Sequence, residues 1–199
     1  MKNIIIIGGS GYVGQHLAEA WLKKDSTVAI TSFSRNGKPE NLSPYLIDNN
    51  RVKWNAVDVF NYEAYEKLLP EECFAVVDLI GTATEKDNNK FMKINVDPVL
   101  VMLQILDKYN IDRGCYISGV MGIPGKNKIF IESKRKAETL IKKSKRNVKI
   151  IRPSLIYGER PEVLLMIPFM KCMGVFSKKY KPVNIDDLTE EIINTFRKH

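Results

Sequence analysis

The chain has 199 residues, enough for one domain with a full hydrophobic core, and its 44% apolar content is ordinary for a soluble globular protein. No run of about 20 consecutive apolar residues occurs, which excludes a conventional membrane-spanning helix. The formal charge is +8, and residues 126–149 alone hold ten Lys or Arg against two Glu, an excess equal to that of the whole chain. Such a patch could attract nucleic acid, an anionic membrane or phosphorylated ligands. A solvated helix face is the simpler reading, and nucleic acid is disfavoured, because no nucleic-acid motif accompanies the charges.

The chain opens on NIIIIG, a continuous apolar run of the kind found in a strand buried on both faces of a parallel sheet. The run is too short for a signal-peptide core and lacks a small-residue cleavage site, so a strand is expected rather than a targeting segment. GYVGQHLAEAWLKK places Val13, Leu17 and Trp21 at helical spacing and ends in lysines that suit a helix C-terminus. STVAITSF is a second strand, followed by the polar loop SRNGKPENLSP. VKWNAVDV predicts a third strand, YEAYEKLL a short helix stopped before Pro70, and CFAVVDLIG a fourth strand. Residues 87–110 read as a long helix, GCYISGV as a fifth strand, residues 133–145 as a helix, and NVKIIRPS as a sixth strand.

Strands and helices alternating at this spacing imply right-handed crossovers and a doubly wound, mostly parallel Rossmann sheet in three α/β/α layers. Residues 1–199 are read as one such domain, with about 159–199 as a reduced cap on the substrate side and a C-terminal helix. The apolar part of this tail, VLLMIPFMKCMGVF, is expected to cover the sheet edge or the cleft, since Pro168 and Lys171 interrupt it. Cys73, Cys115 and Cys172 are scattered and odd in number, which reads as reduced thiols in a cytoplasmic protein and not as a metal site. His16 and His199 complete no hydrolytic triad and no metal set.

The strongest single motif is IIIIGGSGYVGQHL. Gly8, Gly11 and Gly14 lie between a strand and a helix, where a dinucleotide site needs a tight turn, close approach to a pyrophosphate and close helix–strand packing. Ser10, Tyr12 and Val13 lie within the same loop and helix start, whose N–H groups and dipole favour phosphate. NAD-selective sites carry an acidic residue at the end of the second strand. Here Ser34 and Arg35 stand there, with Lys38 slightly later and no carboxylate nearby. A hydroxyl and a guanidinium suit a 2′-phosphate, so NADP(H) is preferred over NAD(H).

GGSGYVG, VDV at 57–59, LIGTA at 79–83, YISG at 116–119, SKRKAE at 133–138 and RPSLIYG at 152–158 together resemble the extended and atypical short-chain dehydrogenase/reductase superfamily. This superfamily includes the NAD(P)-dependent epimerase/dehydratase-like proteins. The resemblance covers about residues 3–158, and KPVNIDDLTEEI is similar to the family's C-terminal segment. The SRNGKP loop and the short C-terminus look most like the atypical branch, which contains the NAD(P)-binding accessory subunit of mitochondrial complex I and a protein associated with coenzyme Q synthesis. The resemblance implies that Asp58, beside Val59, bonds the adenine, unless Asp58 is simply a turn residue. It implies that Gly81 and Thr82 pass under the adenosine ribose, and that Pro153 and Ile156 lie near the nicotinamide.

Catalytically competent members carry a Tyr and a Lys four residues apart, on one helix face, with a serine after the fifth strand. Here Lys134 is present, but Phe130 occupies the tyrosine position and Val120 the aligned serine position. Ser118 is the displaced serine candidate. Lys134 and Ser118 are the remaining catalytic candidates, Tyr116 and Tyr157 the substitute acids, and Lys134 is also expected to hold the nicotinamide ribose. Asn95 matches an asparagine often found on the family's preceding helix; a backbone-satisfied helix residue is the alternative. The expected function is a small NAD(P)-dependent oxidoreductase of unknown substrate. A non-catalytic NADP(H)-binding module that senses redox state or helps assemble a complex is the alternative, and either accommodates a protein partner or a homodimer.

Overall fold

A computed structural model of the chain describes residues 1–120, 127–158 and 181–197. Six parallel strands form the main sheet: β1 (Lys2–Ile7), β2 (Val28–Ser34), β3 (Val52–Ala56), β4 (Ala75–Asp78), β5 (Gly114–Ile117) and β6 (Val148–Ile151). Their order across the sheet is β3-β2-β1-β4-β5-β6, the doubly wound order of a Rossmann fold. Between them run α1 (Tyr12–Lys24), α2 (Pro44–Ile47), α3 (Tyr62–Glu66), α4 (Asn88–Tyr109) and α5 (Asn127–Ser144). The chain continues through β7 (Ile156–Tyr157), β8 (Val183–Asn184) and α6 (Ile185–Thr195), with β7 and β8 paired parallel as a separate two-stranded sheet.

The NIIIIG run shows why the sheet is covered on both sides. Ile4 and Ile6 face one core, with Leu17 and Trp21 of α1 and Leu188 and Ile192 of α6. Ile5 and Ile7 face the other, with Val99 and Met102 of α4 and Ala137 and Ile141 of α5. All four isoleucines are fully buried, each contributing roughly 2 kcal/mol of apolar transfer. Alternate side chains point to opposite faces, so an unbroken apolar strand requires two helical layers.

Local signals set the remaining boundaries. Asp87 caps α4 by accepting the Lys90 amide at 2.8 Å, and Asn110 ends it in the left-handed region at φ 48. Pro98 is buried inside α4, where it removes one intrahelical hydrogen bond. Asn184 caps α6 through the Asp186 amide at 2.8 Å, and two aspartates in the first turn complement the helix dipole.

Three boundaries differ from the sequence reading. Helix α5 starts at Asn127 and not at 133, because Phe130, Lys134, Ala137 and Ile141 continue one inward face upstream. Strand β3 stops at Ala56, which pairs with Ser34 at the end of β2, and the chain then turns at Asp58. The expected loop 34–44 ends in α2, with Pro44 at the first helical position. The apolar segment 163–176, Cys172, Lys126 and His199 lie outside the described residues.

Candidate functional site

The C-terminal ends of the strands open onto a cavity of about 540 Å³, at the point between β1 and β4 where the strand order reverses. Open α/β sheets bind ligands at this switch point. One wall is the β1–α1 turn. Gly8 holds φ +87, a backbone that side chains rarely adopt. A Cβ on Gly14 would lie 2.5 Å from both the Cα and the carbonyl oxygen of Gly9, so helix and turn pack with no room for one. Gly8, Ser10 and Gly11 line the cavity, while Tyr12, Val13 and Gly14 form the first turn of α1 behind them. No side chain caps this helix end, which turns its positive dipole toward the turn.

Ser34 and Arg35 line another wall, joined by Asn36. The Ser34 hydroxyl donates to Gly37 O at 3.1 Å within its own turn. Arg35 is exposed and, among the described residues, makes no hydrogen bond or ion pair. Lys38 does not join it, since its ammonium donates to Ile47 O at 2.8 Å. Val59 and Phe60 line the cavity, and Asp58 does not. The exposed Asp58 carboxylate instead accepts the Phe60 amide at 3.1 Å, the turn role that the sequence held as the alternative.

Gly81 and Thr82 line the cavity at the end of β4, and Asn95 holds them there. Its Oδ1 accepts the Thr82 amide at 3.1 Å, while Nδ2 donates to Thr82 O at 3.0 Å and Phe91 O at 2.9 Å. Asn95 is therefore a backbone-satisfied helix residue that also latches the cavity loop.

The polar groups of the other half are turned inward. Lys134 is 4% exposed and does not line the cavity. Its ammonium donates to Ile117 O at 3.1 Å and lies 4.9 Å from the Tyr116 ring centre and 6.0 Å from that of Phe130. It sits directly behind Gly81, where an added Cβ would meet Nζ at 2.9 Å. Burial pushes the ammonium down to about 8, against the charges of Asp78 and Glu138.

Asp78 is fully buried at the end of β4. Its Oδ1 accepts the Ile80 amide at 2.9 Å and its Oδ2 has no partner. Burial pushes its carboxyl up to about 7, against the Ile80 amide and Lys134. Sequence reasoning missed Asp78, whose only signal is a lone acid closing the apolar run AVVD. Glu138 was missed as well. Burial would raise its carboxyl, but hydrogen bonds from Arg152 and Ser118 and the charges of Arg135 and Arg152 hold it below the usual carboxylate range.

Ser118, the serine candidate, is engaged within the protein. The Ser118 hydroxyl donates to Glu138 Oε1 at 2.6 Å, and the residue is buried. Arg152 grips the same carboxylate with two bonds of 2.8 and 2.7 Å. Tyr116 is no open acid either. Its phenol is fully buried, donates to Asn95 O at 3.4 Å, and is raised by burial. Pro153 is buried and accepts the Val120 amide at 3.2 Å, while Ile156 and Tyr157 are half-buried in β7; none of them lines the cavity. Among the described residues no cluster of His, Cys, Asp or Glu is arranged to hold a metal, and no helix is long and apolar enough to cross a membrane.

Known structures share this architecture. The dTDP-glucose 4,6-dehydratase of Bacillus anthracis, in complex with NAD, superposes with a TM-score of 0.75 at 19% identity, covering 100% of this chain and 72% of that one. A Rossmann-fold NAD(P)-binding protein of Shigella flexneri gives 0.65 at 19% identity, covering 100% and 87%. At these identities the likeness concerns the fold alone.

Among curated relatives, the decarboxylating sterol-4-alpha-carboxylate 3-dehydrogenase of Candida albicans is 26% identical over 59% of this chain and 34% of that protein. The mitochondrial NADH-ubiquinone oxidoreductase 40 kDa subunit of Neurospora crassa is 20% identical over 94% and 50%. The chain thus spans a third to a half of the length of these two. MIOREX complex component 2 of Saccharomyces cerevisiae is 22% identical over 98% of this chain and 90% of that protein. A family model matches residues 4–172, nearly the whole strand-helix alternation, and with it the chain belongs to the NAD dependent epimerase/dehydratase family.

Proposed function

We propose that the protein binds NADP(H) at the switch-point cavity and works as a dinucleotide-binding module. The carrying observation is the cavity wall itself, where the glycine turn and an unpartnered Arg35 face one space of about 540 Å³. In this reading the turn of Gly8, Ser10 and Gly11, with α1 starting at Tyr12, Val13 and Gly14, holds the pyrophosphate. Arg35 takes the 2′-phosphate beside Ser34, Val59 and the Asp58 turn flank the adenine, and Gly81 and Thr82 underlie the ribose. Lys134 holds the nicotinamide side, toward Pro153 and Ile156. The bound dinucleotide would supply hydride chemistry; the chain's own residues supply orientation and charge.

The module reading is supported by what the nicotinamide half lacks among the described residues. Phe130 has no hydroxyl, and Ser118 and Tyr116 are engaged internally. Two relatives bear the names of components of larger assemblies, which fits a partner-bound module. The second reading is a small oxidoreductase of unknown substrate with Lys134 as its proton donor. It is favoured by an ammonium directly behind Gly81 whose pKa burial lowers to about 8. In this reading residues 1–199 are one nucleotide-binding unit, in which about 159–199 supply a reduced substrate-side cap and the C-terminal helix. The cytoplasmic assignment rests on the free thiols of Cys73 and Cys115.

Titration with NADPH and NADH, followed by cofactor fluorescence, tests the central claim. NADPH is expected to bind more tightly, and Arg35→Ala to weaken NADPH about tenfold with NADH unchanged, the value of one charge-assisted contact. No binding of either dinucleotide below millimolar concentration overturns the proposal. Steady NADPH oxidation with any of a panel of small carbonyl compounds would select the second reading.

A further inference from the structure

The basic stretch singled out in the sequence divides into two groups once folded. Three of its cations are committed internally. Lys134 is buried, Arg135 bonds Glu138 and Gly119 O, and Arg146 pairs with Asp107 and Asp112. Among the described residues six lysines remain: Lys128, Lys136, Lys142, Lys143, Lys145 and Lys149. All six are exposed, and none makes a hydrogen bond or ion pair with its side chain among the described residues. Some lysines elsewhere pair with acids, as Lys23 does with Glu19, Lys24 with Glu190 and Lys108 with Glu66.

The placement of the four on α5 is directional, whereas Lys149 lies on the α6 side of β6, beside Glu191 and Asn194. In α5 the buried residues Ser133, Lys134, Ala137, Glu138 and Ile141 mark the inward face. Positions 128, 136, 142 and 143 fall on the opposite side, where Glu132 is the one acid. From Lys128 to Lys143 the stripe runs roughly 22 Å. The helix dipole accounts for Lys142 and Lys143 in the last turn. It disfavours Lys128, which sits in the first turn, so the dipole does not explain the stripe. None of these residues lines the dinucleotide cavity.

We infer that the outer face of α5, continued by Lys145, is an electrostatic docking surface for an anionic lipid membrane. Charge complementarity selects the class of partner. A second copy meeting this face across a two-fold axis would bring lysine against lysine. The cations are lysines, hydrated point charges on flexible stems, and not the planar forks that read shaped carboxylate or phosphate sites. A long, one-sided row of such charges suits a sheet of anionic headgroups, which requires no fixed pairing geometry.

Cosedimentation of the full chain with phosphatidylcholine vesicles, with and without phosphatidylserine, tests this. Binding is expected with phosphatidylserine, absent with phosphatidylcholine alone, and lost as salt shortens the screening length from about 10 Å toward 3 Å. Lys136→Gln, Lys142→Gln and Lys143→Gln are each expected to weaken binding ~5-fold, and Lys53→Gln on β3 far less. The variants are expected to keep the wild-type melting temperature and dinucleotide affinity, so that a loss on vesicles is not a loss of fold. Absence of sedimentation with phosphatidylserine at low salt overturns the inference. So does an equal loss from Lys53→Gln, which would indicate net charge alone. Tighter binding to duplex RNA or to an acidic polypeptide than to the vesicles overturns it as well.

Discussion

The two halves of the cleft use their polar groups in opposite ways. Around the β1–α1 turn and the end of β2, donors face an open cavity, and Arg35 has no partner among the described residues. Around α5, a serine, a lysine, a glutamate and two arginines bond to one another or to backbone carbonyls. Unmet donors facing a cavity mark a place where a ligand completes the structure. A closed network stabilises the fold and leaves little to offer a reacting atom.

The sharpest way to break the open half is Gly14→Ala. The new methyl group would meet Gly9 backbone that cannot rotate aside. A loss of about 3 kcal/mol in urea unfolding is expected, with dinucleotide binding abolished. Unchanged stability would show that α1 can retreat from the turn. Next comes Asn95→Ala, which strands the amide and carbonyl of Thr82. The expected cost is about 2–3 kcal/mol, with weaker nucleotide binding as the 81–82 segment loosens. If stability falls and binding does not, the latch serves packing alone.

The closed half is tested by pH. The folded Asp78 carboxyl titrates near 7, above its unfolded value. The native state therefore holds an extra proton between about pH 4 and pH 7, and stability falls as pH rises through that window, by at most about 1.4 kcal/mol per unit. Asp78→Asn is expected to flatten this slope in unfolding curves measured from pH 4 to 8. An unaltered slope would place the proton elsewhere. The smallest effect is expected from Phe130→Tyr. Stability should stay within about 0.5 kcal/mol, since the ring is only half-buried and an added hydroxyl can reach solvent. Appearance of carbonyl reduction in this variant would show that the closed half lacks only a proton donor.

Much of the fold was legible because the physics is local. NIIIIG states a strand buried on two faces, and the glycine spacing states a turn against a helix. The doubly wound parallel sheet followed from the alternation of strands and helices, and Ser34 and Arg35 were singled out by their position at the end of the second strand. Other features depend on distant residues meeting. Nothing in AVVDLIG says that Asp78 will lie near Lys134, because those positions are brought together by sheet pairing and the packing of α5. Ser118 looked like a free hydroxyl until Glu138 and Arg152, on a different helix and strand end, arrived beside it. Asp58 fits an adenine contact by motif, yet its carboxylate answers the nearest amide first. Single motifs identify backbone requirements well. They do not reveal which side chains are already engaged.

The docking of α6 carries a consequence for how the chain is made. Leu188, Ile192, Ile193 and Phe196 complete the core beneath α1, and the Phe196 ring stacks on Trp21 at 5.5 Å. Trp21 is synthesised well before Phe196, which caps the end of α6. The glycine turn therefore emerges early, while the apolar underside of α1 stays uncovered until residue 196 has been synthesised. Until then this surface is a target for chaperones, and a chain that stops before α6 would leave it bare.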